Sequence, residues 1–233
     1  MARVMIKLSG EVLGGENGFG ADGTALLSLC DQIAKIVEKG VEVAIVVGGG
    51  NFWRFRDNKD LEIPRSASDT LGMMATIMNA RLLAEALISR GVEASALAAH
   101  GNFYFVEPFT PSRGKFLLEK GKVVVCGGGT GNPYFTTDSA AALRALELEC
   151  DVLLKGTKVD GVYDKDPIKH DDAEFFEDLT YDEVLKRELG VMDLTAITLC
   201  KENELPVRVF DVTETGNIVK AATGKTIGTL IHI

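Results

Sequence analysis

The sequence has few positive charges, few aromatic residues and few histidines. It contains 25 lysine and arginine residues against 34 aspartate and glutamate residues, which gives a formal net charge of -9 at pH 7. This balance argues against binding to a nucleic-acid backbone, which clustered basic residues usually neutralise. A few local cations can still attract a small anion. We therefore expect no nucleic-acid partner, and the composition is compatible with a small anionic substrate.

The sequence also lacks closely spaced metal ligands and long apolar runs. Its four cysteines and three histidines lie far apart, without a Cys-x-x-Cys pair. A zinc site is disfavoured because zinc ligands usually occur at short spacings. No run reaches the length of a membrane span, and the first residues lack the apolar core of a signal peptide. We therefore expect a cytoplasmic protein with reduced thiols and no membrane partner.

Short apolar runs alternate with longer helical patterns through most of the 233 residues. The runs predict strands at residues 4–8, 41–47, 94–99, 123–125, 151–155, 207–210 and 230–233. Apolar residues at three- and four-residue steps predict helices within residues 26–37, 68–90, 140–148 and 181–186. This alternation is typical of βαβ units and predicts an α/β fold with a mainly parallel sheet covered on both faces.

The second predicted helix and the segment before it have distinct patterns. The helix carries one apolar side formed by Leu71, Met74, Met78, Leu82 and Leu83. The preceding residues 55–64 are polar and predict a mobile loop. Because no flexible linker or internal repeat interrupts the chain, we expect a single domain over residues 1–233.

Glycines follow four of the predicted strands, at positions 10, 48–50, 127–129, 131 and 156. The carboxyl ends of parallel strands meet at one edge of a sheet, where ligands bind. Glycine lets the backbone approach an oxyanion and direct several N–H groups at it. The segment GGGTGNPYFTTD also leads into a helix, whose amino-terminal end attracts anions and can be capped by Thr136 or Thr137. The four loops together predict a phosphate site.

Two common phosphate motifs are absent. The segment ATGKT at residues 222–226 resembles the end of a P-loop, but Val219 stands where that motif requires glycine. No Gly-x-Gly-x-x-Gly stretch lies between a predicted strand and a helix. The predicted phosphate chemistry therefore uses a different scaffold.

Phosphoryl transfer also requires cations near the glycine loops. Lys7 lies inside an apolar strand directly before the first loop, where burial without a partner is costly, so a role facing ligand is favoured. Arg54 follows the second loop and can reach the same space. Asp138, Asp166 and Asp193 are candidates for orienting Lys7 or holding magnesium, although each carboxylate could equally be a surface charge or a helix cap.

The motifs in this order resemble those of the bacterial uridylate kinases of the amino acid kinase family. The matching segments are KLSG at residues 7–10, GENGFG at 15–20, GGGN at 48–51, MMATIMN at 73–79, TGNPYFTTD at 130–138, LKGTKVDGVY at 154–163 and VMD at 191–193. They span nearly the whole chain. The resemblance implies a three-layer α/β/α fold, a homohexamer, and transfer of the γ-phosphate of ATP, with Mg²⁺, to UMP in pyrimidine nucleotide biosynthesis.

The resemblance also implies roles for individual residues. ATP contacts are expected from Lys7, Leu8, Ser9, Gly10, Gly50, Arg54, Thr157, Tyr163 and Asp166. UMP contacts are expected from Gly49, Asp69, Thr130, Gly131, Asn132, Pro133, Tyr134, Phe135, Thr136 and Thr137. The UMP side corresponds roughly to residues 1–150 and the ATP side to residues 151–233. The predicted catalytic residues are Lys7, Arg54, Asp138 and Asp193.

A few positions depart from the family pattern. Phe55 stands where the family usually has glycine, and Trp53 stands where phenylalanine is commoner. The segment formed by Gly15, Glu16, Asn17, Gly18, Phe19 and Gly20 resembles one tied to activation by GTP. However, Ile88 and Ser95 replace the expected basic or histidine residues of the effector pocket. Activation by GTP is therefore not expected from these positions. We expect inhibition by UTP, because UTP can compete at the UMP site.

Two alternative functions remain open at this stage. One is phosphorylation of an amino acid or carbamate on the same fold, which the segment TGNPYFTTD argues against. The other is a nucleotide-binding storage or regulatory protein that does not turn over substrate. The joint presence of Lys7, Arg54 and Asp138 disfavours a pure binder.

Overall fold

The computed structural model describes residues 2–101 and 104–233. The strands in this part of the chain are β1 (Arg3–Leu8), β2 (Glu42–Val47), β3 (Ala94–Ala98), β4 (Glu107–Pro108), β5 (Val123–Gly127), β6 (Val152–Thr157), β7 (Val162–Tyr163), β8 (Phe175–Phe176), β9 (Asp178–Thr180), β10 (Val207–Asp211) and β11 (Thr229–His232). Nine of them form one sheet in the order β4-β3-β5-β2-β1-β6-β10-β11-β9, and β7 pairs with β8 in a separate hairpin. Within the large sheet, the pairing of β10 with β11 is antiparallel and the other pairings are parallel.

Helices cover both faces of the sheet. They are α1 (Gly23–Val37), α2 (Arg65–Ser89), α3 (Pro111–Glu119), α4 (Thr137–Glu147), α5 (Tyr181–Lys186), α6 (Leu194–Glu202) and α7 (Asn217–Ala222). One apolar core joins α1, α2 and α7 to the face that carries Ile6. A second core joins the other four helices to the face that carries Met5. The predicted three-layer α/β/α architecture with a mainly parallel sheet is confirmed.

The sequence explains why the elements begin and pack as they do. Strand β1 lies at the centre of the sheet, and its residues Val4, Met5 and Ile6 are buried because helices cover both of its faces. Helix α1 begins at a cap in which Asp22 Oδ1 accepts a hydrogen bond from the Ala25 N–H at 2.8 Å. Its buried residues recur at helical spacing, so one side of α1 faces the core.

The predicted strands and helices are all present, with their ends shifted by a few residues. The prediction omitted α3, α6, α7 and the short strands β4, β7, β8 and β9. These elements are only two to nine residues long, so each offers too few positions for a clear hydrophobic period. Residues 55–64, predicted as a loop, contain two short 3₁₀ turns at Phe55–Asp57 and Lys59–Leu61.

Helix α2 differs most from its prediction. Its core-facing side includes Ala80, Leu83 and Leu87, whereas Met74 and Met78 from the predicted apolar side are about half exposed. By length and composition α2 could also cross a membrane, contrary to the expectation that no such stretch exists. Core helices of soluble proteins can be equally long and apolar, and α2 packs against β3 and β5. The helix is therefore a sheet-covering helix with an exposed apolar side.

Candidate active site

The four glycine loops lie at one edge of the sheet, because β1, β2, β5 and β6 run parallel and end there. Two of the glycines are required by close approach of the loops to each other and to α2. A Cβ at Gly10 would lie 2.6 Å from the Gly48 carbonyl oxygen, and one at Gly49 would lie 2.8 Å from the Gly72 carbonyl oxygen. These contacts explain glycine at both positions through packing between loops, independently of any ligand.

Helix α2 fixes two of the loops through buried polar side chains. Asn79 donates to the Gly48 carbonyl at 2.8 Å and exchanges hydrogen bonds with Asn51, and both amides are almost fully buried. Thr76 Oγ1 accepts a hydrogen bond from the Gly128 N–H at 2.7 Å. Since buried polar groups without partners are costly, these bonds hold the loops after β2 and β5 in register with α2.

A cleft of about 620 Å³ opens above the loops. Its lining contains eight of the residues predicted to bind nucleotide, namely Gly49, Gly50, Arg54, Asp69, Asn132, Phe135, Thr136 and Thr137. Glu11, Trp53, Arg65, Met73 and Thr76 also line it and were not predicted as ligand contacts. The structure therefore brings predicted UMP-side and ATP-side residues to a single cavity.

Lys7, Asp138 and Lys155 form a largely buried cluster at the carboxyl ends of β1 and β6, beside the start of α4. Lys155 Nζ donates to Asp138 Oδ2 at 2.6 Å and to the Val191 carbonyl at 2.5 Å. Lys7 Nζ lies 2.9 Å from Asp138 Oδ1 and forms an ion pair with it. Asp138 is thus ion-paired to both lysines and hydrogen-bonded to Lys155.

The charged groups in this cluster shift one another's pKa values. Burial pushes the pKa of Asp138 upward, but the ammonium groups of Lys7 and Lys155 outweigh burial and hold the pKa below its ordinary value. Burial lowers the pKa of Lys155, and the negative charge of Asp138 opposes that change. Asp138 is therefore ionised at neutral pH.

Sequence reasoning missed Lys155, although a usable signal was present. Lys155 lies inside an apolar strand directly before Gly156, which is the same pattern that singled out Lys7 before its loop. The two lysines are paired in register on neighbouring strands, so both side chains project from the same face toward α4.

Thr136 and Asp193 cap the amino-terminal ends of α4 and α6, next to this cluster. Thr136 Oγ1 caps α4 by accepting from the N–H groups of Asp138 and Ser139, and it donates to Asp193 Oδ2 at 2.5 Å. Asp193 caps α6 by accepting from the Ala196 N–H at 3.0 Å, and it also accepts from Ser139 Oγ. The structure thus gives Asp193 a capping position next to the cluster, and its catalytic role stays a prediction.

Arg54 reaches the cleft mouth, where Glu11 pairs with it. The Glu11 carboxylate contacts the Arg54 guanidinium and lies 2.8 Å from Lys158 Nζ. Arg54 Nε also donates to the Gly50 carbonyl at 3.1 Å. Glu11 therefore links a cation that follows β2 to one that follows β6, and no pattern in the sequence pointed to this contact.

The segment TGNPYFTT closes the other side of the cleft, and Asp69 on α2 holds it. Asp69 Oδ2 accepts a hydrogen bond from the Tyr134 N–H at 2.8 Å, and Arg65 pairs with the same carboxylate. Tyr134 has a positive φ of 72°, which is uncommon for a residue with a side chain. The ring of His100 lies against Gly131, where an added Cβ would meet its Nε2 at 2.7 Å. Thr130 Oγ1 accepts from the N–H two residues later.

Three residues predicted for the ATP side, Thr157, Tyr163 and Asp166, do not line the main cavity. Thr157 ends β6 and donates to the Val159 carbonyl at 2.6 Å, while Tyr163 donates to Asp160 at 2.7 Å, which raises its pKa to about 12. Asp166 accepts from the Ile168 N–H, and this bond, with Lys169 nearby, lowers its pKa. These side chains line the surface next to β6, outside the main cavity.

Ser9 and the glycine segment at residues 15–20 follow β1. Ser9 caps the short 3₁₀ turn Gly10–Val12. A second turn, Gly15–Asn17, leads to Phe19, whose ring packs edge-on against Phe52. The Gly20 N–H donates to the Asn51 carbonyl at 2.9 Å, and the Asn51 amide donates back to the Gly20 carbonyl. The segment proposed to sense GTP is thus hydrogen-bonded to the loop after β2.

Comparison with known proteins places the chain in a family. Residues 2–211 match the model of the amino acid kinase family. A UMP kinase from Bacillus anthracis is 34% identical, with a TM-score of 0.95 over 99% of this chain and 95% of that one. A UMP kinase from Ureaplasma parvum is 38% identical, with a TM-score of 0.94 over 100% and 99% of the two chains.

A uridylate kinase from Archaeoglobus fulgidus is 30% identical, with a TM-score of 0.75 over 98% of this chain and 99% of that one. These similarities extend over nearly the full length of each protein, so the glycine loops and the lysine–aspartate cluster lie inside the matched region. The chain belongs to the amino acid kinase family.

Proposed function

We propose that this protein is a UMP kinase that transfers the γ-phosphate of ATP to UMP, giving UDP and ADP in pyrimidine nucleotide biosynthesis. The observation that carries the proposal is the placement of Lys7 and Asp138 beside a cavity that the segment TGNPYFTTD and Arg54 line. Full-length similarity to two solved UMP kinases supports the same activity.

We assign UMP to the side of the cavity formed by Gly49, Asp69 and the segment from Thr130 to Thr137. Helix α4 begins at Thr137, which lines this side, so the positive end of the helix dipole favours the UMP phosphate. Asp69 already holds the backbone of Tyr134, so it can orient the loop around the base and ribose. We assign ATP to the surface that adjoins the cavity at Gly50, formed by Leu8, Ser9, Gly10, Thr157, Tyr163 and Asp166.

The chemistry needs charge stabilisation and alignment more than proton transfer. The attacking oxygen of UMP is already ionised near neutral pH, so no general base is required. Lys7 and Arg54 offset the charge of two polyanions and hold the reacting phosphates in line. Asp138 positions Lys7, and Asp193 joins the start of α4, which carries Asp138, to the start of α6.

Mg²⁺ enters as a part of the MgATP substrate. Among the described residues, no group of three or more Asp, Glu, His or Cys side chains is close enough to hold a metal ion. Both oxygens of Asp138 face lysine ammonium groups, which disfavours direct coordination by that carboxylate. Phosphate oxygens and water therefore supply most of the ligands of the ion.

We further propose that the protein self-associates, as a homohexamer in the cytoplasm, through the exposed side of α2. Leu71, Met74 and Met78 line an apolar groove of about 660 Å³ together with Phe52 and Phe105. Exposed apolar surfaces of this kind are typical of protein interfaces. We expect UTP to inhibit by competing for the UMP side, and the effect of GTP stays open to measurement.

The activity is tested by coupling ADP release to a spectrophotometric assay with MgATP and one acceptor at a time. UMP, CMP, AMP, glutamate and carbamate are compared, with and without GTP. The proposal expects saturable turnover with UMP, poor use of CMP, and none with glutamate or carbamate. Turnover with glutamate or carbamate alone would reassign the enzyme within its family. UMP binding by calorimetry without turnover would favour a nucleotide-binding storage or regulatory protein.

A further inference from the structure

Lys155 is a buried cation without a role in the chemistry described above. It is 8% exposed and lies on β6, next to the central strand β1. Burying a lysine costs free energy unless partners compensate for lost water, and a like charge beside it raises that cost. Here Lys7 is its register partner on β1, so two ammonium groups project from one face of the sheet.

The negative charge of Asp138 offsets the repulsion between the two ammonium groups, and the two lysines contact its carboxylate differently. Lys155 donates directly to Oδ2 and also to the Val191 carbonyl, which fixes its ammonium group. Lys7 makes one ion pair, with Oδ1 at 2.9 Å. Because an ammonium group has three N–H donors, Lys7 keeps donors for another acceptor, such as a phosphate oxygen.

The charge balance leads to the same conclusion. With Lys155 present, two ammonium groups share the single carboxylate of Asp138, so its negative charge offsets only part of their positive charge. Without Lys155, Asp138 would cancel the charge of Lys7. Asp193 also acts on Lys155 through its charge, but its oxygens accept hydrogen bonds from Thr136, Ser139 and the start of α6 instead of from Lys7.

We propose that Lys155 is a positioning residue for phosphoryl transfer. It holds and neutralises Asp138, so that Lys7 keeps both its orientation and an uncancelled positive charge toward the transferring phosphate. The kinetic part of this inference rests on the proposed function, whereas the coupling between the three side chains does not.

The kinetic test compares Lys155→Met, Asp138→Asn and the double variant with the wild-type enzyme. We expect Lys155→Met to lower kcat about tenfold or more, with the KM for UMP within about threefold, because the loss falls on transition-state stabilisation. The double variant should be no slower than Asp138→Asn alone, since Lys155 acts through that carboxylate. Unchanged kcat in Lys155→Met, or losses that multiply in the double variant, would overturn the proposal.

A matched control is Arg208→Met on the neighbouring strand β10. Arg208 is a partly buried cation that donates to the Ile227 carbonyl, and its register partner is Leu154, so it projects from the opposite face. We expect its kcat to stay within about twofold of wild type, because it touches neither Asp138 nor Lys7. A loss as large as that of Lys155→Met would mean that removing any sheet cation has the same effect, and would contradict a specific role.

A second readout requires no substrate. Carboxyl ¹³C NMR of the intact protein labelled at aspartate can follow the ionisation of Asp138 against pH. Removing the charge and the hydrogen bond of Lys155 should raise the pKa of Asp138 and move this midpoint to higher pH. An unmoved midpoint would refute the coupling. If the wild type failed to phosphorylate UMP, the proposed function would fall, while this titration would still decide the role of Lys155.

Discussion

The base and the mouth of the cleft both contain ion pairs, but the two regions hold them differently. At the base, Lys155 is buried, Lys7 and Asp138 are largely buried, and all three are anchored by strands and a helix start. At the mouth, Arg54 and Lys158 meet Glu11 on loops, and Lys158 is largely exposed. Buried pairs keep one geometry, whereas exposed pairs exchange readily with ligand charges. The base is thus preorganised for the reaction, and the mouth is suited to capture and release of nucleotide.

Removal of Lys7 should have the largest effect. We expect Lys7→Ala to lower kcat about a thousandfold, because a preorganised cation at the transferring phosphate is lost. UMP affinity, measured by calorimetry, should change by only a few fold, since Lys7 acts mainly on the transition state. Equal turnover in the variant would remove Lys7 from the mechanism.

Replacement of Asp138 should come next. Asp138→Asn keeps the shape of the side chain but leaves the ammonium groups of Lys7 and Lys155 without a countercharge. We expect kcat to fall about a hundredfold with smaller changes in KM, because Lys7 loses its fixed position. Steady-state kinetics with UMP and MgATP provide the measurement. A loss confined to KM would instead make Asp138 a binding group.

Arg54 should matter less for the chemical step than Lys7 does. Arg54→Ala should raise the KM for MgATP and lower kcat by about tenfold each, because a cation at the mouth contributes to both binding and charge stabilisation. High salt should weaken wild-type nucleotide binding more than that of the variant. If the loss of kcat matched that of Lys7→Ala, the distinction between base and mouth would be wrong.

The buried carboxylate also predicts how stability depends on pH. The pKa of Asp138 is lower in the folded state than in the unfolded state, so its contribution is present at neutral pH. That contribution is lost as pH falls through the folded-state pKa. Between pH 5 and pH 3 the wild type should therefore lose more unfolding free energy than Asp138→Asn, by roughly 1 kcal/mol. Urea unfolding at each pH tests this, and parallel curves would contradict it.

Glu11 should have the smallest effect. Glu11→Gln removes the carboxylate that occupies Arg54 and Lys158 in the ligand-free protein. We expect the affinity for MgATP to rise about two- to threefold, because a partly exposed pair is worth little. Calorimetry with MgATP measures the change. Weaker binding in the variant would show that Glu11 positions Arg54 for ligand instead of competing with it.

The sequence predicted the fold better than it predicted the contacts within the site. Strand periodicity and glycine after β1, β2, β5 and β6 indicated both the parallel sheet and its ligand edge. Lysine in an apolar strand identified Lys7, and the same signal would have identified Lys155. The choice of Asp138 as the partner of Lys7 required the structure, because the predicted catalytic set contained both Asp138 and Asp193.

Two other features could not be inferred from local pattern. Met74 and Met78 follow the spacing of a core face, yet they are exposed, since the side of α2 with Ala80, Leu83 and Leu87 faces the sheet. The pairing of Glu11 with Arg54 joins residues from different loops, and charge alone does not specify such a contact. Both depend on tertiary packing, which residue spacing does not encode.

The most direct test of the central claim is ³¹P NMR of a reaction with MgATP and UMP. We expect the UDP β-phosphorus signal to grow in step with that of ADP, while UMP disappears in equal amount. Lys7→Ala should abolish this growth without abolishing UMP binding. Formation of ADP and inorganic phosphate with UMP unchanged, or no change in any signal, would contradict it.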